Sequence, residues 1–237
     1  MTGATERQPA GAAASEPLAW TPNGGEPQPL GAVIAGGRSS RYGEPKALSR
    51  IGGRRLIDRV VDALSVATSD IVLIANDPVL AAVSGLPSRP DALEGLGALG
   101  GIHAALCWAR ELRRPGVLAV ACDMPFLEPA LLIDILGTAR ERMMPDVVLP
   151  ESEGRRGVEP LCAYYGTRCV AAIERAASQG DRRMIGFHDQ VSVVRVPLDV
   201  VKRYPHADRI FFNVNTTADR DLAERVLSRE PDRFDVV

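Results

Sequence analysis

The sequence predicts an α/β domain with a mostly parallel sheet and helices on both faces. From residue 30 onward, strand-like and helix-like hydrophobic patterns alternate, which is typical of a parallel sheet with crossover helices. The third predicted strand, residues 117–122, is apolar throughout, as expected of a strand that is covered on both faces. Ligands of such sheets bind beyond the carboxyl ends of the strands, so we expect the functional residues to follow directly after strands.

Four strands are predicted in the first two thirds of the chain. Residues 32–35 are apolar and end at a glycine pair, and residues 70–75 end at an Asn-Asp-Pro turn. Residues 117–122 end at an aspartate, and residues 146–149 form the fourth strand. Apolar residues at helical spacing predict helices within residues 56–64, 99–109 and 131–136.

The last third of the chain is less regular. Residues 159–165, 191–196 and 210–214 are predicted as further strands. Residues 169–177 and 222–227 carry apolar stripes typical of helices. We expect one domain over residues 30–230, preceded by a disordered tail over residues 1–29 and followed by a C-terminal tail over 231–237.

Composition excludes several function classes. The net charge of −2 over 237 residues argues against a nucleic acid or a membrane surface as the main partner. The four cysteines lack metal-ligand spacing, so we expect reduced, packed thiols. No apolar run is long enough to span a bilayer, and the first residues do not resemble a signal peptide. A cytoplasmic location fits these features best.

The segment after the first strand has the composition of a polyphosphate site. Gly36 and Gly37 can adopt backbone conformations that turn successive N–H groups toward one anion. Arg38, Arg41 and Lys46 follow within reach, separated by small hydroxyl side chains. Lys46 is one of only two lysines among 28 basic residues, and a lysine presents a compact point charge where an arginine presents a planar fork. We therefore assign Lys46 to the phosphates.

Two aspartates follow predicted strands or precede glycine-rich turns. Asp123 directly follows strand 117–122, and a carboxylate facing a polyphosphate indicates a bridging cation, for which Mg²⁺ is the natural choice. A turn-capping role for Asp123 is the alternative. Asp91 precedes the stretch Gly95 to Gly101, and its carboxylate could accept hydrogen bonds from guanine; a solvated loop aspartate is the alternative.

The glycine-rich stretch also matches the pattern GxGxxG. The dinucleotide fingerprint requires a strand immediately before the first glycine, and two prolines in residues 86–94 argue against such a strand. Near the end of the chain, the last predicted strand ends with the polar residues Asn213, Asn215, Thr216 and Thr217. Thr216 and Asp219 have the spacing of a helix-capping pair.

These pieces together resemble the molybdenum cofactor guanylyltransferases, the MobA family of nucleotidyltransferases. The resemblance lies in five segments, which occur in family order between residues 31 and 228. The segments are Ile34 to Gly37 with Ser40 to Leu48, Asp91 with Gly95 to Gly101, Cys122 to Pro125, Glu159 to Leu161, and Asn213 to Thr216.

The resemblance implies a Rossmann-like fold, similar to the nucleotide-diphospho-sugar transferases, that binds GTP, Mg²⁺ and molybdopterin. It places Asp91 against the nucleotide and Asp123 on magnesium, with Lys46, Arg41 and Asp123 as catalytic residues. It assigns nucleotide binding to Ile34, Ala35, Gly36, Gly37 and Lys46. Ile74 stands where some members have a nucleotide-contacting asparagine, and Asn76 nearby could take that place.

The reaction expected from the resemblance is transfer of GMP from GTP to molybdopterin with release of pyrophosphate. Apo-proteins of molybdoenzymes are further expected partners. Two alternatives stay open. The first is the same chemistry with another base or acceptor, in a molybdopterin cytidylyltransferase or a sugar-phosphate nucleotidyltransferase. The second is a non-catalytic GTP-binding module that delivers the cofactor.

Overall fold

The computed structural model describes residues 27–35, 45–91, 93 and 95–229. Most of the predicted N-terminal tail and all of the predicted C-terminal tail lie outside these residues. Gly36, Gly37, Arg38 and Arg41 of the predicted phosphate loop also lie outside the described residues.

The described residues form a seven-stranded sheet and a separate two-stranded hairpin. The strands are β1 (Leu30–Ala35), β2 (Arg50–Ile51), β3 (Arg54–Arg55), β4 (Ile71–Ala75), β5 (Ser88–Arg89), β6 (Gly116–Ala121), β7 (Val147–Pro150), β8 (Cys162–Gly166) and β9 (Val193–Val196). The order in the large sheet is β5-β4-β1-β6-β8-β7-β9, and β2 pairs with β3 in the hairpin. The predicted fold class is confirmed.

Only β8 runs against its neighbours in the described sheet. β1 pairs in parallel with β4 and β6, β4 pairs in parallel with β5, and β7 pairs in parallel with β9. β8 is antiparallel to both β6 and β7. The strand order also reverses around β1: the chain first adds β4 and β5 on one side and then returns to place β6 on the other. In α/β sheets, such a reversal opens a crevice at the carboxyl ends of the strands.

Helices cover both faces of the sheet. They are α1 (Leu56–Ser65), α2 (Pro78–Val83), α3 (Ala98–Glu111), α4 (Pro129–Glu141), α5 (Cys169–Ser178), α6 (Leu198–Val201) and α7 (Thr217–Arg229). α3 and α5 pack on one face, through Leu99, Ile102 and Ile173, and α1 and α4 pack on the other, through Val60 and Ile135. β1 contributes side chains to the cores on both faces of the sheet because successive side chains of a strand point to opposite faces. Ile34 lies in one core and Val33 in the other.

One predicted strand is wrong. Residues 210–214 form a turn and irregular backbone rather than a strand. Their apolar character has another cause: Ile210 is fully buried against the main core, and Val214 is buried in a small third cluster with α7 and the β2–β3 hairpin. A loop that is anchored by buried side chains produces the same short apolar run as a strand.

No helix among the described residues has both the length and the apolar character needed to cross a membrane.

Candidate active site

Three neighbouring strands end at one edge of the sheet, and the predicted site residues follow them. Ala35 of β1 is in register with Ala75 of β4, and Ile34 is in register with Ala121 of β6. Asn76 and Asp123 therefore come just after strand ends on either side of β1. Neighbouring strands are about 4.8 Å apart, so the ends of β4 and β6 are separated by roughly 10 Å. A nucleotide laid across the end of β1 could reach both.

Lys46 and Asp123 form the polar centre of this edge. Lys46 begins a short 3-10 turn, Lys46–Leu48, and its Nζ lies 2.6 Å from Oδ2 of Asp123. The same Nζ donates a hydrogen bond of 2.8 Å to Oδ1 of Asn215. The two charged side chains remain 23% and 19% exposed, so a ligand can reach both. The sequence prediction that places these two residues together at the strand ends agrees with this geometry.

Asn215 is held in place by the start of α7. Asp219 accepts hydrogen bonds from the backbone N–H groups of Asn215, at 2.9 Å, and of Thr216, at 2.7 Å. In return, the N–H of Asp219 donates to Oγ1 of Thr216 at 3.1 Å, which completes the capping box expected from the sequence. The hydrogen bond from Asn215 and the nearby Lys46 ammonium contribute to a lowered pKa of Asp219. The cap therefore stays ionised and fixes the backbone at Asn215.

A second contact ties this segment to the end of β6. The N–H of Val214 donates a hydrogen bond of 3.0 Å to the carbonyl of Asp123. The N–H of Cys122 donates to the carbonyl of Ile34 at 3.2 Å. Asp123 is thus fixed from both sides through backbone bonds, while its carboxylate is left to Lys46. Cys122 itself carries no negative charge, because burial and the neighbouring Asp123 raise its pKa to about 12.

Asn76 and Asp91 lie together on the other side of β1. The N–H of Asp91 donates a hydrogen bond of 2.9 Å to the side-chain oxygen of Asn76. Oδ2 of Asp91 lies beside the first turn of α3, where it would be 3.5 Å from a Cβ placed on Gly100. The structure therefore brings together the two residues that the sequence associates with the base.

Glycines allow α3 to start against the strand ends. A Cβ on Gly101 would lie 2.7 Å from Cγ2 of Ile34, which is closer than real carbon atoms approach. A Cβ on Gly100 would lie 2.9 Å from the carbonyl oxygen of Leu93. The absence of side chains at both positions lets the amino end of the helix approach β1. Ile34 is itself buried and Ala35 is half-buried, so either could contact a nucleotide mainly through its backbone.

Further charged side chains approach the site from the second half of the chain. Glu159 precedes β8, and its pKa is raised, chiefly by burial and in part by the charge of Asp123, while Arg156 acts in the opposite direction. Arg182 lies beside the glycine stretch, where Nη1 would be 3.5 Å from a Cβ on Gly95. The sequence alone does not separate either arginine from an ordinary solvated residue.

Asp123 is the carboxylate at these strand ends that the sequence assigns to a metal ion. Within the described ranges, no group of three or more His, Cys, Asp or Glu side chains is arranged to hold a metal ion. The described residues therefore do not form a complete metal-binding site from protein side chains alone. The donor set still fits Mg²⁺, which is commonly bound by one or two carboxylates together with substrate phosphates and water.

The sequence does not identify Asn215 as a contact of Lys46. The two residues are 169 positions apart, and only the fold brings them together. The sequence signal that could have found the contact is the Asn-Val-Asn-Thr run before a capping box, since a polar run held by a helix start is well placed to position side chains.

Comparison with known proteins identifies the family of the chain. The family model described as the MobA-like NTP transferase domain matches residues 31–191. A molybdenum cofactor guanylyltransferase from Desulfosudis oleivorans is 33% identical over 198 residues, which cover 83% of this chain and 95% of that protein.

Solved structures give the same result. The molybdopterin-guanine dinucleotide biosynthesis protein A from Archaeoglobus fulgidus superposes with a TM-score of 0.68 at 28% identity, covering 84% of this chain and 99% of that one. A 2-C-methyl-D-erythritol 4-phosphate cytidylyltransferase from Thermus thermophilus shares the fold, with a TM-score of 0.56 at 16% identity over 86% of this chain and all of that one. The resemblance found in the sequence is confirmed: the chain is a nucleotidyltransferase that belongs to the MobA-like NTP transferase domain family.

Proposed function

We propose that the protein transfers GMP from GTP to the terminal phosphate of molybdopterin, with Mg²⁺ as the metal. The observation that carries the proposal is the 2.6 Å pair between Lys46 and Asp123 at the carboxyl ends of β1 and β6. An ammonium and a metal-binding carboxylate in contact provide one partner for phosphate oxygens and one for a divalent cation. The 33% identical relative is named for the same transfer.

The reaction needs no covalent intermediate with the protein. An oxygen of the acceptor phosphate forms a bond to the α-phosphorus of GTP, the bond from that phosphorus to the α,β-bridging oxygen breaks, and its electron pair leaves with pyrophosphate. Such transfers depend on positioning and on stabilisation of charge. Bound Mg²⁺ would supply neutralisation of the phosphate charges.

Each site residue then has a distinct role. Asp123 would hold the metal, and Lys46, released from Asp123, would bind the phosphate oxygens of the nucleotide. Asn215 keeps the Lys46 side chain directed toward the strand ends. On the far side of β1, Asp91 and Asn76 would contact the guanine base. Arg41, Gly36 and Gly37 complete the proposed phosphate site, and they lie outside the described residues.

Pyrophosphate release tests the proposal and separates it from the alternatives. We expect release to require GTP, molybdopterin and Mg²⁺ together. Preference for CTP would show a cytidylyltransferase, and turnover with a sugar phosphate in place of molybdopterin would show a sugar-phosphate nucleotidyltransferase. GTP binding without any release in the presence of molybdopterin would favour a cofactor-delivery module. Each of these three outcomes would overturn the proposal.

A further inference from the structure

A large groove lies at the amino ends of β1 and β6, on the opposite side of the sheet from the strand ends that carry Lys46 and Asp123. It has a volume of about 620 Å³, which is within the range of pockets for small-molecule ligands. It is bordered by the residues that lead into β1 and β6 and by the carboxyl ends of α3 and α4. β6 is six residues long and spans roughly 20 Å, so the groove and the Lys46–Asp123 pair are well separated.

Four arginines line this groove, which we call the arginine groove. They are Arg110, Arg113, Arg114 and Arg140. No acidic residue is among its described lining residues, although the chain as a whole has 30 acidic and 28 basic residues. The groove therefore concentrates positive charge on a protein whose net charge is −2.

Two of the arginines are held in fixed positions. Arg114 forms an ion pair with Asp70 and donates a hydrogen bond of 3.3 Å to the carbonyl of Gln28. Arg140 donates to the side-chain oxygen of the same glutamine. Arg110 and Arg113 are exposed and pair with no described carboxylate at ion-pair distance. The groove thus combines two anchored guanidinium groups with two that face solvent.

Arg113 occupies a backbone position at the end of α3 that commonly carries glycine. α3 ends in a Schellman motif, in which the N–H of Arg113 bonds the carbonyl of Arg110 and the N–H of Arg114 bonds that of Ala109. Arg113 itself has a φ of 54°, in the left-handed region that favours glycine. α5 ends in the same motif with glycine at the equivalent position, Gly180, at φ 79°. The end of α3 carries an arginine where the end of α5 carries the less strained residue.

α4 ends in the same type of motif on the other side of the groove, again without a glycine. Its motif places Met143 at φ 57° and Met144 at φ 58°, closed by a bond from the N–H of Met144 to the carbonyl of Ala139. Pro27, Pro115 and Met144 supply an apolar wall, and Leu136 and Ala139 in the same lining are almost fully buried. Three of the four non-glycine residues with positive φ in the described chain therefore lie at the two helix ends that border the groove.

We propose that the arginine groove binds a second, phosphate-bearing organic molecule of nucleotide size. Guanidinium groups suit phosphate oxygens because they donate paired hydrogen bonds in a plane. The apolar wall would contact the non-ionic part of the ligand, and the volume is sufficient for both parts. This site is independent of the proposed nucleotidyl transfer, since it shares no residue with the strand-end site.

The test measures binding of ADP by calorimetry in Mg²⁺-free buffer with EDTA. The full chain carries Lys46→Met, so that the strand-end site contributes little. We expect one ADP per chain, and a loss of affinity of about tenfold or more when Arg110→Ala and Arg113→Gly are added. Arg142→Ala, which removes an exposed arginine at the end of α4 but outside the groove lining, is the matched control and should leave the affinity unchanged.

The variants also control for folding. Arg113→Gly relieves the left-handed strain, so its melting temperature should be equal to or higher than that of the parent. Absence of ADP binding to the Lys46→Met protein, or equal affinity in the arginine variants and the parent, would overturn the proposal. Inorganic pyrophosphate is the second probe: binding as tight as that of ADP would overturn the role of the apolar wall. None of these readouts depends on turnover of GTP.

Discussion

At the scale of single residues, the Lys46–Asp123 ion pair contributes little to the stability of the fold. Both side chains are about one fifth exposed, and an ion pair at such a position contributes at most roughly 1 kcal/mol to folding. In the proposed mechanism, Lys46 exchanges this contact for a phosphate oxygen and Asp123 exchanges it for a metal ion.

The Lys46→Met variant separates the role of Lys46 in the reaction from its contribution to stability. We expect turnover to fall by about a hundredfold or more, because the cation that stabilises the phosphates is removed, while the free energy of unfolding changes by less than about 1 kcal/mol. Lys202→Met is the matched control, since Lys202 is the only other lysine and pairs with Glu153 on the surface. Equal pyrophosphate release in the two variants would show that Lys46 has no part in the reaction.

Sequence patterns predict some of the residue contacts at this site and miss others. The meeting of Asp123 and Lys46 at the strand ends could be predicted because each residue has a local signal, a carboxylate after a buried strand and a rare lysine after a glycine pair. The Lys46–Asn215 contact could not, because it depends on how the chain places α7. The positions of Arg156 and Arg182 near the site likewise depend on tertiary packing.

At the scale of elements, the close approach of α3 to β1 brings the amino end of the helix to the candidate site. Gly101 faces Ile34 with no room for a Cβ, and the N-terminal turn of α3 is next to Asp91 as a result. The amino end of a helix favours nearby negative charge, which suits a nucleotide across the end of β1. A larger residue at Gly101 would push the helix away from the strand.

Gly101→Ala tests this arrangement against Gly137→Ala in α4. Because its new methyl group would meet Ile34, Gly101→Ala should destabilise the fold by about 1–3 kcal/mol and raise the Kd for GTP. A Cβ on Gly137 would meet nothing within 4 Å, so Gly137→Ala should stabilise the fold by about 0.5–1 kcal/mol. Urea denaturation measures both changes, and a neutral Gly101→Ala would contradict the packing argument.

Element prediction failed where an irregular segment is buried. Residues 210–214 have the composition of a strand, but their apolar side chains anchor a loop that leads Asn215 to Lys46. The sequence predicts β1, β4, β6 and β7 because these strands are apolar and buried on both faces. The two-residue strands β2, β3 and β5 are missed because they are partly exposed and too short to form an apolar run. The reversed direction of β8 has no comparable signal, since antiparallel pairing does not change which residues are apolar.

At the scale of the whole molecule, a network around Asp146 joins the half of the sheet that contains β7, β8 and β9. Oδ2 of Asp146 accepts hydrogen bonds from the N–H and the hydroxyl of Ser192, and Oδ1 accepts one from Arg168. Burial disfavours its ionised form, but these bonds outweigh burial and lower its pKa. The folded state therefore holds the Asp146 proton less tightly than the unfolded chain.

This difference in pKa predicts a pH dependence of stability. The contribution of Asp146 is complete well above about pH 4, the ordinary pKa of aspartate, and is lost as the pH falls through that value toward the lower folded pKa. Asp146→Asn should cost about 1–3 kcal/mol at pH 7, and the cost should shrink between pH 5 and pH 3. Asp199→Asn, whose carboxylate is 71% exposed, is the control. A cost for Asp146→Asn that does not change with pH would contradict the assignment.

In the proposed mechanism, Asp123 joins a metal ion to the nucleotide beside Lys46. Calorimetric titration of GTP, with and without Mg²⁺, into the full chain and its Asp123→Asn variant measures this directly. We expect Mg²⁺ to tighten GTP binding by about tenfold or more in the unmodified chain, and this gain to disappear in Asp123→Asn. A gain that persists in Asp123→Asn, or an affinity for GTP that Mg²⁺ does not change in the unmodified chain, would contradict the account.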